Sequence, residues 1–422
     1  MSTLTITQAS CADDYDPNSM PVAKARAFIH QFLSPVSGVA RVAVRDALGR
    51  VLAEDIASPV DVPSHRNSAM DGWAMRGVDL RADAEATLTE IGVAFAGKPF
   101  GGRVAAGQCV RIMTGGVVPE GADTVVMQER AKASGKSITF APGQKTGQNV
   151  REAGEDLKAG ALALRRGRIV RPAELGLIAS LGVGEVSVYR PLRVAFFSTG
   201  DELKSIGTTL GEGEIYDSNR YTIHGMLTRL GCDVLDMGVV RDDPAAIERA
   251  FAEAAASADV VITSGGVSVG EADFVKSILG KLGEVVFWKI AMKPGRPLAY
   301  GKIGGAHFFG LPGNPVSVMV TFYQFVRDAL LVLQGAHPIE PVPTFPATCT
   351  QRLKKAPGRT EFQRGILARG ADGALTVRPT GEQGSGILKS MSDANCFIIL
   401  GDATGNVEPG TVVEVQLMEG VV

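Results

Sequence analysis

Apolar residues at Val22, Ala25, Phe28, Ile29 and Phe32 recur three and four positions apart, a spacing that predicts one buried helix face over residues 21–33. The polar stretch before it, to about Tyr15, reads as a loose tail. Residues 39–56 carry a short strand and a turn. Between residues 58 and 148 the pattern shortens. Runs such as VAFAG, CVRIM and DTVVM alternate with glycine-rich turns, which predicts a β-rich domain of about 90 residues. Helical spacing returns over residues 171–181, where Pro172 suits a first turn and Gly182 a stop.

Beyond residue 193 the texture changes again. The apolar runs RVAFFST, VLDMGVV and DVVITS each end in a turn. Ser218 or Asn219 is placed to cap a helix closed by Gly231, and Pro244 opens another with Ile247, Phe251 and Ala255 on one face. Strands alternating with helices predict βαβ units and a parallel sheet. From about residue 340 onward, short strands (TFPATCTQRL, GALTVRPT, NCFIIL, TVVEVQL) predict a small β-barrel. The whole reads as a multidomain α/β chain.

Composition narrows the class. With 422 residues, 45% of them apolar, several packed cores are affordable. A net charge of -2 argues against a nucleic-acid surface spread over the chain. The cysteines at 11, 109, 232, 349 and 396 form no CxxC pair, so they read as free thiols in a reducing compartment. The acidic start lacks the features of a secretory signal, and no apolar run reads as long enough to cross a bilayer. The expectation is a cytoplasmic protein that binds neither membrane nor nucleic acid. The histidines at 30, 65, 224, 307 and 337 are scattered and suggest no catalytic set.

In open parallel sheets, ligands bind beyond the carboxyl ends of the strands. Four segments fall there. In Ser198-Thr199-Gly200-Asp201-Glu202, hydroxyls and a glycine suit close approach to an anion, and two carboxylates facing it imply a metal; the alternative is a plain turn with Asp201 as a cap. In Arg241-Asp242-Asp243-Pro244, Asp243 is a helix cap and Asp242 is left over for a metal such as Mg²⁺. Ser264-Gly265-Gly266-Val267-Ser268-Val269-Gly270-Glu271-Ala272-Asp273 resembles a backbone cradle for phosphate, though it is neither a Walker loop nor GxGxxG. In Gly310-Leu311-Pro312-Gly313-Asn314-Pro315-Val316-Ser317, Pro315 fits a first helical position with Asn314 as its cap, and the helix start offers N–H groups to an anion. Between the last two, Lys289-Ile290-Ala291-Met292-Lys293-Pro294-Gly295-Arg296-Pro297 sets three cations among rigid prolines and reads as an oxyanion pocket or a solvated basic loop. These residues point to a phosphorylated ligand, a divalent metal and a second oxyanion, and no further.

The ordered set of motifs is more specific. It comprises Asn67-Ser68-Ala69-Met70-Asp71-Gly72-Trp73-Ala74, Arg111-Ile112-Met113-Thr114-Gly115, Gly154-Glu155-Asp156, the loops above, and Gly358-Arg359-Thr360-Glu361-Phe362-Gln363-Arg364-Gly365. Together they resemble the molybdopterin molybdenumtransferases, the family that includes the E domain of gephyrin, from about Pro21 to the C-terminus. The resemblance implies four domains: a discontinuous linker domain (1–57 and 147–190), a β-rich domain (58–146), a molybdopterin-binding α/β/α domain (191–336) and a C-terminal β-barrel (337–422). Trp73 stands where the family more often has tyrosine, and Arg296 where it often has lysine, which bears on oxyanion geometry alone.

The reaction implied is insertion of molybdate into adenylylated molybdopterin with release of AMP. The resemblance assigns catalytic roles to Asp273, Asp242, Glu202, Asp71 and Ser268, with Mg²⁺ on Asp242, Asp273 and Glu202. It sets the pterin against Thr114, Asp156, Thr199, Gly200, Ser264, Gly265, Gly266, Pro312, Gly313, Asn314 and Lys289. Molybdate falls to Lys293, Arg296, Pro297, Ser317, Arg364 and Ser385. The ligand's dithiolene sulfurs supply the soft donors, so no cysteine cluster is required. A homodimer sharing its active site is implied, with a molybdopterin adenylyltransferase and molybdoenzyme apoproteins as candidate partners. One rival activity is molybdopterin adenylylation itself, which matches the sheet domain alone. Another is a gephyrin-like scaffold, for which this chain lacks a fused domain and a long linker.

Overall fold

A computed structural model describes residues 5–7, 19–36, 38–266 and 272–418, without the side chains of residues 272–274. Most of the tail expected before Tyr15, Ser268, and the side chain of Asp273 lie outside the described residues.

The centre of the molecule is a six-stranded sheet. Its order is Asp233–Val240, Arg193–Thr199, Val260–Ser264, Ala306–Leu311, Pro297–Ile303, Gly283–Lys289. The first four strands are parallel and the last two antiparallel. The expected parallel sheet is therefore extended by a hairpin. Ile303 pairs with Ala306 across Gly304, whose φ of 57° a two-residue turn of this kind demands.

Helices cover both faces, and the strand letters show why. Along the Arg193–Thr199 strand, Val194 and Phe196 join one core while Ala195 and Phe197 join the other. The first core takes Phe28 and Ile29 of the Val22–Gln31 helix, Ile223 and Leu227 of Ser218–Arg229, and Val316, Val320 and Phe325 of the helix beginning at Pro315. The second takes Ile247 and Phe251 of Pro244–Ser257 and Ile278 and Leu279 of Ala272–Leu282. Asp243 caps its helix as expected, accepting the Ala246 N–H at 2.8 Å. The cap of the Ser218–Arg229 helix is Asp217, not Ser218 or Asn219, and accepts the Arg220 N–H at 3.1 Å. Those two residues lie inside the first turn.

The segment Pro315–Leu333 is a 19-residue helix with mean hydropathy 1.5, long and apolar enough to cross a membrane, contrary to the sequence expectation. It is 67% buried inside the protein and serves as a core helix, with a π-turn at Phe322–Val326.

Toward the N-terminus, Val39–Ala43 pairs with Glu185–Tyr189 beside the helix Pro172–Ser180. A curled sheet follows in the order Thr124–Met127, Gly72–Met75, Gln108–Ile112, Ala86–Ala94, Ser137–Phe140, Ala131–Ser134. The C-terminal strands Thr360–Arg369, Leu375–Pro379, Thr344–Cys349, Val412–Leu417 and Cys396–Leu400 close into a five-stranded barrel, since the last pairs again with the first. Met292–Lys293 joins that barrel strand at Thr360–Glu361, tying the barrel to the central sheet.

An ion pair pins the start of the sheet. Arg190 donates to both oxygens of Asp259 at 2.7 and 2.6 Å, and the Arg193 N–H adds a third bond at 2.9 Å. Burial pushes the Asp259 carboxyl up, but these hydrogen bonds outweigh it and hold the pKa below the ordinary value. A depressed folded pKa gives stability that is present above the unfolded carboxylate range and lost as pH falls through the folded value. Arg190→Ala is expected to cost about 1–3 kcal/mol at neutral pH. Melts between neutral pH and about pH 3 should show a shallower acid slope in the variant; an identical slope would remove this pair from the account.

Candidate functional site

The four parallel strands end side by side, and the turns that follow them line one cleft of about 700 Å³. Thr199, Gly200 and Glu202 come from the first turn, Asp242 from the second, Ser264, Gly265 and Gly266 from the third, and Gly313, Asn314 and Pro315 from the fourth. Gly386 and Leu388 of the C-terminal region complete the wall. The glycines are required by close approach: a Cβ on Gly265 (φ 90°) would stand 2.7 Å from the Thr199 carbonyl oxygen. Pro312 directly precedes Gly313, and its carbonyl lies 3.5 Å from the Ser264 hydroxyl.

Two structural explanations for cleft residues fail. Asn314 holds the cap position of its helix, yet its side chain makes no capping hydrogen bond. Asp201 caps no helix. Its carboxylate accepts the Asp242 N–H at 3.3 Å, which fastens the first two turns together.

Glu202 and Asp242 both line the cleft, and Gly200 leaves room for the Glu202 carboxylate, which a Cβ there would meet at 2.6 Å. Among the described residues no group of three or more His, Cys, Asp or Glu side chains could hold a metal.

The oxyanion candidates meet at an adjoining junction. The Ser385 carbonyl accepts the Val316 N–H at 3.1 Å, and Gly384 accepts from Arg364 Nη2 at 2.9 Å. Gly295 lies so close to the helix that a Cβ would sit 2.5 Å from Thr321 Oγ1 and 3.5 Å from the Ser317 carbonyl. Lys293 is half in solvent and 3.4 Å from the buried Glu361, and Arg296 is exposed. Lys289 lies opposite Pro297 in the hairpin, on this side and not among the cleft residues. Arg364 is the notable member: it is 1% exposed, donates through Nε to Ser390 Oγ at 2.9 Å, and has no carboxylate partner among the described residues. Burial pushes its pKa down to about 10, which leaves it cationic at neutral pH.

The β-rich candidates stand apart. Asp71 accepts from the Thr114 N–H at 2.7 Å and its hydroxyl at 2.8 Å, bonds that hold the carboxyl below its ordinary pKa with help from Arg111. Arg111 in turn stacks 4.3 Å from the Trp73 ring centroid. Asp71, Thr114 and the exposed Asp156 are absent from the cleft wall of their own chain.

Sequence reading missed one wall of the cleft, Tyr216, Asp217, Ser218 and Asn219. Its letters look only like a helix start. The available signal was excess: Asp-Ser-Asn offers three capping side chains where one suffices. The described cysteines are free. Burial pushes Cys109 and Cys232 up to about 12 and Cys396 to about 11, so they are protonated thiols, poor metal donors.

A mixed α/β sheet with glycine turns, carboxylates and a cationic junction at its strand ends has the architecture of a ligand-binding α/β enzyme. Family comparison makes this particular. The model of the MoeA N-terminal region (domain I and II) matches residues 20–182, that of a probable molybdopterin binding domain 195–332, and that of the MoeA C-terminal region (domain IV) 346–418. A molybdopterin molybdenumtransferase of Haemophilus influenzae is 48% identical over 374 residues, spanning 88% of this chain and 92% of that protein. One from Staphylococcus aureus (strain COL) is 32% identical over 406 residues, spanning 95% and 96%. The crystal structure of a molybdopterin biosynthesis moeA protein from Pyrococcus horikoshii OT3 superposes with a TM-score of 0.81 at 29% identity, over 95% of this chain and all of that one. The chain belongs to the molybdopterin molybdenumtransferase family, transferases of molybdenum cofactor biosynthesis.

Proposed function

We propose that this enzyme inserts molybdate into adenylylated molybdopterin with Mg²⁺-dependent release of AMP. The observation that carries the reading is the continuity of two sites. The strand-end cleft runs into the cationic junction through the turn at Asn314–Pro315, where Ser385 of the C-terminal domain meets Val316.

The glycine turns seat the phosphoanhydride, and Thr199, Ser264 and Asn314 flank it. Glu202 and Asp242, with Asp273, would hold Mg²⁺ alongside the phosphate oxygens, where the ion offsets charge developing on the departing AMP. The cations Arg364, Arg296 and Lys293 hold molybdate by charge-assisted hydrogen bonds, with Ser317 and Ser385 as neutral donors. Cys109, Cys232 and Cys396, whose thiols burial holds protonated, do not compete for the metal. Asp71, Thr114 and Asp156 act on the cleft of a second copy in a homodimer. Free thiols and the anionic substrates agree with a cytoplasmic setting, and the adenylyltransferase that makes the substrate and the molybdoenzymes that take the product are its expected partners.

The direct test is AMP release from adenylylated molybdopterin. Release should require both molybdate and Mg²⁺, and fall by about two powers of ten or more in Asp242→Ala. AMP release independent of molybdate, or AMP consumption with ATP and unmodified molybdopterin, would overturn the reading.

A further inference from the structure

We infer that Asn219 is a positioning residue for the phosphate-binding side of the cleft, a latch between two strand-end turns; this rests on reading the cleft as the adenylylated pterin site. Asn219 lies in the first turn of the Ser218–Arg229 helix and is 8% exposed. Its Nδ2 donates to Ser264 Oγ at 2.8 Å and to the Gly313 carbonyl at 2.6 Å. Both amide protons are thereby used, and the opposite amide orientation would set Oδ1 against the Gly313 oxygen.

The two anchor points belong to different turns. Ser264 ends the Val260–Ser264 strand, and Gly313 follows the Ala306–Leu311 strand. The turns are close enough that a Cβ on Gly313 would touch Gly265 Cα at 3.9 Å. Between them, the Ser264 hydroxyl otherwise reaches only the Pro312 carbonyl at 3.5 Å, too long to hold it firmly. Beside the backbone bond from the Gly265 N–H to the Leu311 carbonyl at 3.2 Å, Asn219 is the short buried side-chain tie that sets how the serine-glycine turn and the proline-glycine turn stand beyond the paired strands.

Stability alone does not account for the residue. Among the described residues Asn219 Oδ1 has no hydrogen-bond partner, and neither has Ser198 Oγ on the neighbouring strand, whose register places Ser198 beside Ser264. A buried acceptor left unpaired is costly, and an apolar side chain would fill the same wall without that cost. What the amide supplies and an apolar group lacks is a defined distance between two ligand-bearing turns. The junction holding Arg364 and Ser385 is reached through other bonds, so it should not feel the latch.

The test separates the two substrates. In Asn219→Ala, the KM for adenylylated molybdopterin should rise by about tenfold, as expected for one or two lost buried hydrogen bonds. The molybdate concentration for half-maximal turnover and kcat at saturating pterin should stay at wild-type values. The double variant Asn219→Ala/Ser264→Ala should lose less than the sum of the two single variants, because the Asn219–Ser264 bond is common to both. Asn219→Asp keeps the shape but not the donors, and carries the same expectation should the alanine variant fail to fold. A folded variant with wild-type pterin KM, a parallel rise in molybdate requirement, or fully additive losses would overturn the latch. Calorimetric titration with AMP alone decides it independently of turnover: a Kd raised about tenfold supports it, while equal affinity, or no AMP binding by the wild-type chain, overturns it. A wild-type chain that binds AMP with this dependence on Asn219 but releases none from adenylylated molybdopterin would instead sink the proposed function.

Discussion

Replacing Arg364 with alanine is expected to raise the molybdate needed for half-maximal turnover by roughly ten- to a hundredfold, since each charge-assisted hydrogen bond to a dianion is worth about 1.5–3 kcal/mol. Arg364 is buried without a carboxylate among the described residues, held by the Ser390 hydroxyl and the Gly384 carbonyl. A buried guanidinium with only neutral partners retains uncompensated charge, and an incoming dianion is the natural complement. Its partners also fix the fork: Gly384 adjoins Ser385, whose carbonyl takes the Val316 N–H at the start of the neighbouring helix. Arg364→Ala also leaves a cavity, so stability will fall, and turnover must be read at a temperature well below the melting midpoint. High molybdate should rescue the folded variant in part. Arg364→Lys should fall between, because an ammonium keeps the charge but loses the planar fork. Arg296→Ala, at an exposed position, should shift the requirement less. Wild-type molybdate dependence in a folded Arg364→Ala protein would remove this junction as the oxyanion site.

What could be read from the letters was what has a local cause. The helix over 22–31 follows from apolar spacing, and the cap at Asp243 from a carboxylate before a proline. The convergence of four glycine-rich turns follows from the parallel-sheet rule once the strands are found. The antiparallel hairpin Pro297–Ile303/Ala306–Leu311 was not foreseen, because between Lys289 and Gly310 two prolines and several glycines mask the strand pattern. Asn219 was missed for a different reason. Its role depends on bonds to residues 45 and 94 positions away; the surplus of capping side chains marks the segment but names neither partner. The resemblance set Lys289 against the pterin; strand pairing, which no local pattern shows, puts it opposite Pro297 at the end of the Gly283–Lys289 strand. The long helix Pro315–Leu333 shows the converse: a run apolar enough for a bilayer is apolar here because it is 67% buried and packs in the core on one face of the central sheet.

Mixing two inactive variants should recover activity. Asp71 and Thr114 form a tight pair, with bonds of 2.7 and 2.8 Å, on an exposed edge of the β-rich sheet. They are not on the cleft wall of their own chain. A carboxylate oriented by two donors yet facing solvent has no structural debt to settle, since an exposed loop needs no such arrangement. Its held-down pKa keeps it ionised across the neutral range. If it serves chemistry, it must do so at a surface brought to it, and a second copy of the same chain offers the matching cleft by two-fold symmetry. Asp71→Ala and Asp242→Ala homodimers should each be nearly inactive. When the two chains are co-expressed with different tags and the mixed species is isolated, one of its composite sites carries both lesions and the other carries none. Purified mixed dimer should thus show about half the wild-type rate, and an unfractionated mixture about a quarter. A site confined to one chain predicts something else: every site in the mixed dimer then carries one lesion, and no activity returns however completely the subunits exchange. Isolated mixed dimer without activity, or a fully active monomer, would therefore exclude a shared site and return Asp71 to a local role in the β-rich domain.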